Sequence, residues 1–282
     1  MVNVIKVKCP AKINLTLEVL NKRDDGFHNI KSIMQMIDLY DYLTIKISKN
    51  HQLEIKLSGS NKNIPYDKSN LVYKAAKLYC EESGINNLLI EIAIEKNIPI
   101  SAGLAGGSTD AAGTILGLNH VLKKFSNKEL HNLCAKLGSD LNVCLSGGCN
   151  LATSRGEIIK KLPSIESKVT LINPKNLSIS AGYAYKSYSE KKDKPQLEIT
   201  EKMISAIKNK EDFKQFLYND LEKAVFNDYK ELQIIKSKYP KAIMSGSGST
   251  YYILENLEKS LLDNNYEFIN GLSFISTGVE IV

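Results

Sequence analysis

The sequence has no tryptophan, and its 282 residues include only seven prolines and five cysteines. Cys9, Cys80, Cys134, Cys144 and Cys149 are odd in number and lie inside apolar patterns, so they read as reduced core residues. Cys144 and Cys149 have no second pair or neighbouring histidine at zinc spacing, and no bound metal is assigned to the chain. No apolar run approaches the ~20 residues of a membrane span, which excludes a membrane-spanning role. The first residues enter a strand pattern without the marks of a signal or transit peptide, so a cytoplasmic, bacterial protein is expected. An excess of charge is missing as well. Lys and Arg number 37 against 31 Asp and Glu, a net charge of +6 spread along the chain rather than gathered in a basic run. Nucleic acid is therefore not the expected partner, although a mild positive field suits an anionic nucleotide. The four histidines are scattered, and no Ser-His-Asp or Cys-His spacing for nucleophilic catalysis can be read.

What the chain does have is the stretch Pro-Ile-Ser-Ala-Gly-Leu-Ala-Gly-Gly-Ser-Thr-Asp-Ala-Ala from Pro99 to Ala112. It follows an apolar strand-like run ending near Ile98. It precedes a helical pattern that starts near Ser108 and repeats at Ala111, Ile115, Leu118 and Leu122. Glycines at 103, 106 and 107 let backbone N–H groups approach an oxyanion, and a helix N-terminus adds a partial positive charge, so the natural occupant is phosphate. Ser108 also suits an ordinary N-cap, and Asp110 suits the first turn of the helix. Tandem glycines followed by two hydroxyl residues, Ser108 and Thr109, exceed what a cap requires. The pattern is neither a Walker A loop nor the glycine fingerprint of a Rossmann fold.

This stretch resembles the phosphate-loop motif of the GHMP kinases, named for galactokinase, homoserine kinase, mevalonate kinase and phosphomevalonate kinase. The resemblance implies an α+β, two-domain kinase fold with the active site in the cleft between domains. It implies ATP as co-substrate, with Mg2+ bridging its β- and γ-phosphates. The ATP-binding residues would be Pro99, Ser101, Ala102, Gly103, Leu104, Ala105, Gly106, Gly107, Ser108 and Thr109, with Asn70 on the adenosine side.

Other segments agree in order. Pro10-Ala11-Lys12-Ile13-Asn14-Leu15 lies between strand patterns at 2–7 and 15–20, and Lys12 and Asn14 share one face, which on spacing alone is a solvent face. The segment is similar to the first family motif, implying that Lys12 stands beside the catalytic carboxylate and Asn14 contacts the acceptor. Arg23 to His28 is a charged turn with Gly26 at its corner. It resembles the signature of the branch whose acceptor carries cytidine diphosphate, with Phe27 and His28 holding the cytosine. Gly138-Ser139-Asp140 ends a helix over 127–137 capped by Ser126 and Glu129. Taken alone, Asp140 is a turn or cap residue; the resemblance makes it the catalytic aspartate, although Asn142 stands where the family has proline. Ser180 to Tyr185 loosely resembles the segment whose aromatic closes over the cytosine, giving Tyr185 as candidate with Tyr183 in competition. Ser245 to Thr250 reads as a hairpin turn. It is similar to the third family motif, placing Gly246 and Ser247 at the substrate, with Ser249 in place of proline.

The expected division is an N-terminal domain over 1–157 and a C-terminal domain over 158–282. Further helices are expected at 71–82, 178–188, 198–209, 213–217 and 231–238, with closing strands after 268. The implied reaction is phosphorylation of a small cytidine diphosphate-linked alcohol in isoprenoid precursor synthesis, by a monomer or homodimer. Another small-molecule kinase of the same superfamily and a non-catalytic nucleotide-binding protein are the alternatives; Lys12 and Asp140 together oppose the second.

Overall fold

The computed structural model describes residues 2–190 and 198–282 and is α+β. Two long strands open the chain, β1 (Asn3–Lys22) and β2 (His28–Lys49), followed by β3 (Glu54–Gly59), α1 (Leu71–Ser83) and β4 (Leu88–Glu95). Then come α2 (Gly106–Leu122), α3 (Asn127–Leu137), the short α4 (Leu141–Ser146), β5 (Cys149–Ser154) and β6 (Ile158–Lys161). The later chain holds β7 (Lys168–Pro174), α5 (Ala181–Glu190), α6 (Ile199–Asn209), β8 (Tyr218–Asn219), α7 (Asp220–Val225) and α8 (Lys230–Lys238). It finishes with β9 (Ile243–Met244), β10 (Tyr251–Ile253), β11 (Tyr266–Ser273) and β12 (Glu280–Ile281).

The strands make two sheets. The first runs β12-β1-β2-β4-β3, with β5 beside β2, β6 beside β5 and β8 beside β1; the second runs β11-β7-β10-β9. The line expected between residues 157 and 158 falls inside the β5–β6 hairpin, and β8 and β12 return from the later chain to pair with β1.

The sequence suggests two strands separated by a tight segment around Pro10, whereas β1 is one strand of 20 residues. Pro10 is tolerated because it sits at a bulge, where pairing jumps from Pro10 opposite Tyr40 to Ala11 opposite Ile37. The jump exchanges the faces of the strand. Before it, Val7 and Cys9 pack with Ala111 and Ile115 of α2. After it, Ala11, Ile13 and Leu15 pack with Val169, Leu171 and Tyr252 of the second sheet. Lys12 and Asn14 are thereby turned toward the helices. A second shift between Asn14 and Thr16 restores the original order, and Leu17 and Val19 rejoin the first cluster. Lys12 and Asn14 do share a face, but at 3% and 2% exposure it is not a solvent face.

Helix starts follow local chemistry. Asn70 Oδ1 accepts from the N–H of Val72 at 2.9 Å and its Nδ2 donates to the Pro65 carbonyl, capping α1. Replacing Asn70 by alanine is expected to cost about 1 kcal/mol in denaturant unfolding, the usual value of such a cap. Ser126 and Glu129 form the expected capping box on α3. The helix expected at 213–217 is only a 3-10 turn, Lys214–Phe216, since so short a segment cannot offset the cost of nucleating an α-helix. All five cysteines are free and buried, and burial pushes their thiols up.

Candidate active site

A cleft of about 720 Å³, in the range of small-molecule sites, opens where the two sheets meet. Its walls come from the middle of β1, the loop before α2, the turn after β1, the start of α4, α5 and the turn between β9 and β10.

The loop before α2 is built as a helix entrance. α2 begins at Gly106, two residues earlier than the sequence suggests, and its N-cap residue Ala105 is left-handed with no side chain capping the helix. The first N–H groups of the helix therefore have no side-chain cap, the arrangement in which helix N-termini receive oxyanions. Residues along the loop alternate: Ala102 and Leu104 are buried in the core, whereas Gly103, Ala105 and Ser108 line the cleft. Thr109, expected to act beside Ser108, is fully buried. Asp110 belongs to the second turn of the helix rather than the first, and is buried against Lys96, whose Nζ lies 2.8 Å from Asp110 Oδ2 and also pairs with Asp41. Burial lifts the Asp110 carboxyl above its ordinary range, against the pull of Lys96.

The turn between β9 and β10 presses on this loop. Ser245 Oγ donates to the Gly103 carbonyl at 3.0 Å, and the Thr250 N–H donates to the Ala102 carbonyl at 3.3 Å. The 245–250 segment is thus a hairpin turn that also packs against the loop before α2, and its Gly246 and Ser247 line the cleft. Ser249, in the place of proline, donates to the Leu177 carbonyl at 2.6 Å.

Lys12 is the centre of the polar network. Its Nζ donates to Asn14 Oδ1 at 2.7 Å and to the Gly103 carbonyl at 3.1 Å, and stands 3.5 Å from Asp140 Oδ2. Asn14 in turn donates to Ser32 Oγ at 2.9 Å. Asp140 is the N-cap residue of α4 but makes no capping bond, so its carboxylate is left to Lys12. At the other end of α4, Lys161 Nζ donates to the Ser146 carbonyl at 3.0 Å, supplying a cation where the helix is negative. Asn142 holds this corner without proline: its Nδ2 donates to the Glu157 carbonyl at 2.8 Å, and its Oδ1 lies 3.0 Å from His131 Nδ1.

The far end of the cleft is aromatic. Arg23 clasps the Asp25 carboxylate, and the Arg23 N–H donates to the Phe27 carbonyl at 2.8 Å, closing a turn that presents Phe27 and His28. The His28 and Tyr185 rings stack with centroids 5.5 Å apart and planes 16° from parallel. His28 Nε2 lies 2.9 Å from Ser189 Oγ. Burial, with Lys22 adding to it, holds the imidazole below its ordinary pKa. Burial, with the charge of Asp140 adding to it, raises the Tyr185 phenol, which stays neutral. Phe27 is 53% exposed, and the Arg155 guanidinium lies 5.2 Å from its ring centroid, a cation–π contact.

The cleft therefore brings together Lys12, Asn14, Phe27, His28, Gly103, Ala105, Ser108, Asp140, Tyr185, Gly246 and Ser247. Pro99, Ser101, Gly106, Gly107 and Asn70 are not among its lining residues. Tyr183 is turned to Tyr229, with ring centroids 5.7 Å apart, which leaves the cleft to Tyr185. Arg155, Lys186 and Ser189 line it without having been singled out from sequence. Ser189 lies one helical turn beyond Tyr185, a spacing that could have found it; Arg155 sits in an irregular turn with no periodic signal.

Comparison with known proteins places the chain in a family. Residues 70–154 match the model of the GHMP kinases N terminal domain. The chain is 40% identical to a protein of Prochlorococcus marinus and 34% identical to one of Acaryochloris marina, both named 4-diphosphocytidyl-2-C-methyl-D-erythritol kinase. Those matches cover 94% and 98% of this chain and 91% and 98% of the relatives. A solved structure of 4-(cytidine 5'-diphospho)-2C-methyl-D-erythritol kinase superposes with a TM-score of 0.73 at 27% identity, covering 97% of this chain and 99% of the other. Agreement of this extent over almost the whole length means that the chain belongs to the GHMP kinases, in their 4-diphosphocytidyl-2-C-methyl-D-erythritol kinase branch.

Proposed function

We propose that the protein transfers the γ-phosphoryl group of ATP to the 2-hydroxyl of 4-diphosphocytidyl-2-C-methyl-D-erythritol. The observation that carries this reading is one continuous cleft with the Lys12–Asp140 pair beside an uncapped helix N-terminus at one end and stacked rings at the other. In this reading the triphosphate lies along 101–108, and the hydroxyl meets the Asp140 carboxylate. Asp140 takes the hydroxyl proton as the oxygen–phosphorus bond forms and ADP leaves, and Lys12 stabilises charge on the phosphoryl oxygens. Phosphoryl transfer asks chiefly for such positioning and charge stabilisation. Asn14, Gly246 and Ser247 border the acceptor. Asn70, with both ends of its amide engaged by backbone, contributes to an adenosine site through the shape of the 65–72 turn.

Mg2+ fits this site as a companion of ATP. Among the described residues no group of three His, Cys, Asp or Glu forms a dedicated cage, whereas magnesium is commonly held largely by phosphate and water oxygens. Ser108, lining the cleft at the start of α2, is the protein oxygen that would join the phosphate and water oxygens of such a sphere, which leaves the Asp140 carboxylate to the acceptor hydroxyl. The ion supplies neutralisation of the phosphate charge.

Phe27, His28 and Tyr185 take the cytosine. A neutral imidazole can accept a hydrogen bond from the amino group of the base, and burial keeps His28 neutral at physiological pH. The direct test is a coupled assay of ADP release with ATP and 4-diphosphocytidyl-2-C-methyl-D-erythritol, with CDP as competitor. Turnover that CDP inhibits is expected; absence of turnover overturns the proposal. Replacing His28 by alanine is expected to raise the KM for the cytidine substrate roughly tenfold, the value of about one lost hydrogen bond, while leaving the KM for ATP unchanged. The depressed imidazole pKa means that the neutral form persists through neutrality, so wild-type KM should rise only as pH falls below the ordinary histidine range. The alanine variant should lose that rise; an effect confined to ATP would contradict the role.

A further inference from the structure

We propose that Asn219 is a positioning residue for the reaction: its buried amide fixes the 245–250 turn against the strand that carries Lys12 and Asn14. The inference rests on the reading of the cleft as a kinase site. Asn219 is 4% exposed and ends β8, whose pairing with β1 sets it opposite Leu17. Its Nδ2 donates to two carbonyls, Met244 at 2.7 Å and Gly246 at 2.8 Å. Its Oδ1 accepts from the Leu221 N–H at 2.9 Å and caps α7. Both amide protons are thus spent on the turn and the oxygen on a helix start, which leaves the side chain no freedom to reorient.

Other bonds do different work. Within the turn, the Ser245 N–H donates to the Thr250 carbonyl and the Gly248 N–H to the Ser245 carbonyl, both at 2.9 Å. These fix its shape. Ser245 Oγ ties it to the phosphate loop through Gly103. Asn219 ties it to β1. The distance that this tie sets is critical, because a Cβ added at Gly246 would lie 3.2 Å from Asn14 Oδ1 and 3.3 Å from Lys12 Nζ. Backbone movement at Gly246 therefore reaches the Lys12 ammonium directly, and with it the Asp140 pair.

The double use of the amide provides the test. Asn219→Ser keeps an oxygen to cap α7 but replaces the two amide N–H donors with a single hydroxyl proton on a shorter side chain, which cannot hold both turn carbonyls. Asn219→Asp keeps shape and cap but faces the two carbonyls with a carboxylate. In both, kcat should fall ~10- to 100-fold, as expected for a misplacement of about 1 Å, while the affinity for a non-hydrolysable ATP analogue changes less than threefold. Hydrogen exchange at residues 246–249 should accelerate, with α7 exchanging as in the wild type. Wild-type kcat with wild-type exchange at the turn overturns the proposal. So does loss of protection confined to α7, which would leave Asn219 a helix cap and nothing more. A wild-type protein without kinase activity would instead overturn the functional reading, and the exchange measurement would still decide whether Asn219 holds the turn.

Discussion

Replacing Asp140 by alanine should lower kcat at least ~100-fold, the usual loss on removing a general base, while ATP still binds. The structure sets both halves of that expectation. Among the described residues Asp140 pairs with Lys12 alone, at 3.5 Å, and makes no capping bond to α4, so its removal takes no hydrogen bond from the helix start. Lys12 keeps the Asn14 Oδ1 and the Gly103 carbonyl as acceptors, so the ammonium is not left unpaired in a buried site. The triphosphate contacts proposed for 101–108 come from a different element and remain. Steady-state turnover, measured beside titration of a non-hydrolysable ATP analogue, separates the two effects. Turnover within a few-fold of wild type would remove Asp140 from the chemistry. Loss of analogue binding would show instead that the carboxylate shapes the nucleotide site.

The second large effect is expected at Gly103. Its φ is +77°, and a Cβ there would lie 2.0 Å from the Ser245 carbonyl oxygen and 3.2 Å from the Gly248 nitrogen. Those neighbours are backbone and cannot rotate away. Gly103→Ala should therefore force the phosphate loop and the 245–250 turn apart, costing about 2–4 kcal/mol from the left-handed conformation and the overpacking together. It should also weaken ATP at least ~10-fold, since each unit of 1.4 kcal/mol lost in a fixed phosphate geometry is a decade of affinity. Gly107→Ala is the control. Nothing lies within 4 Å of a Cβ there, so its unfolding midpoint should stay near that of the wild type. Equal stability of the two variants would mean that the loop and the turn are not coupled as described.

Local chemistry made part of this architecture readable in the sequence. The glycines before α2, the capping box at Ser126 and Glu129, and the corner at Gly26 each follow from residues close together in the chain. Other features depend on partners far away. The second turn of α2 holds Asp110 because Lys96 and Asp41 meet it there, and nothing near Asp110 announces them. α4 has six residues, too few for a helical period to stand out, so the reason that the Asp140 carboxylate is exposed to Lys12 was hidden. Asn219 belongs to no glycine-rich or charged pattern. Its importance appears only when Met244 and Gly246 are brought to it.

The paired bulges of β1 make the active site sensitive to counting. Between them the chain runs out of phase with the strand on either side. Deleting Ala11 alone would pass the inward apolar place to Lys12 and carry Ile13 into the cleft, exchanging a cation for a hydrocarbon without altering any catalytic residue. Residues 10 to 16 should therefore tolerate conservative substitutions more readily than a change of length by one. The spacing of this segment is itself part of the catalytic apparatus, as a reading frame is part of a message.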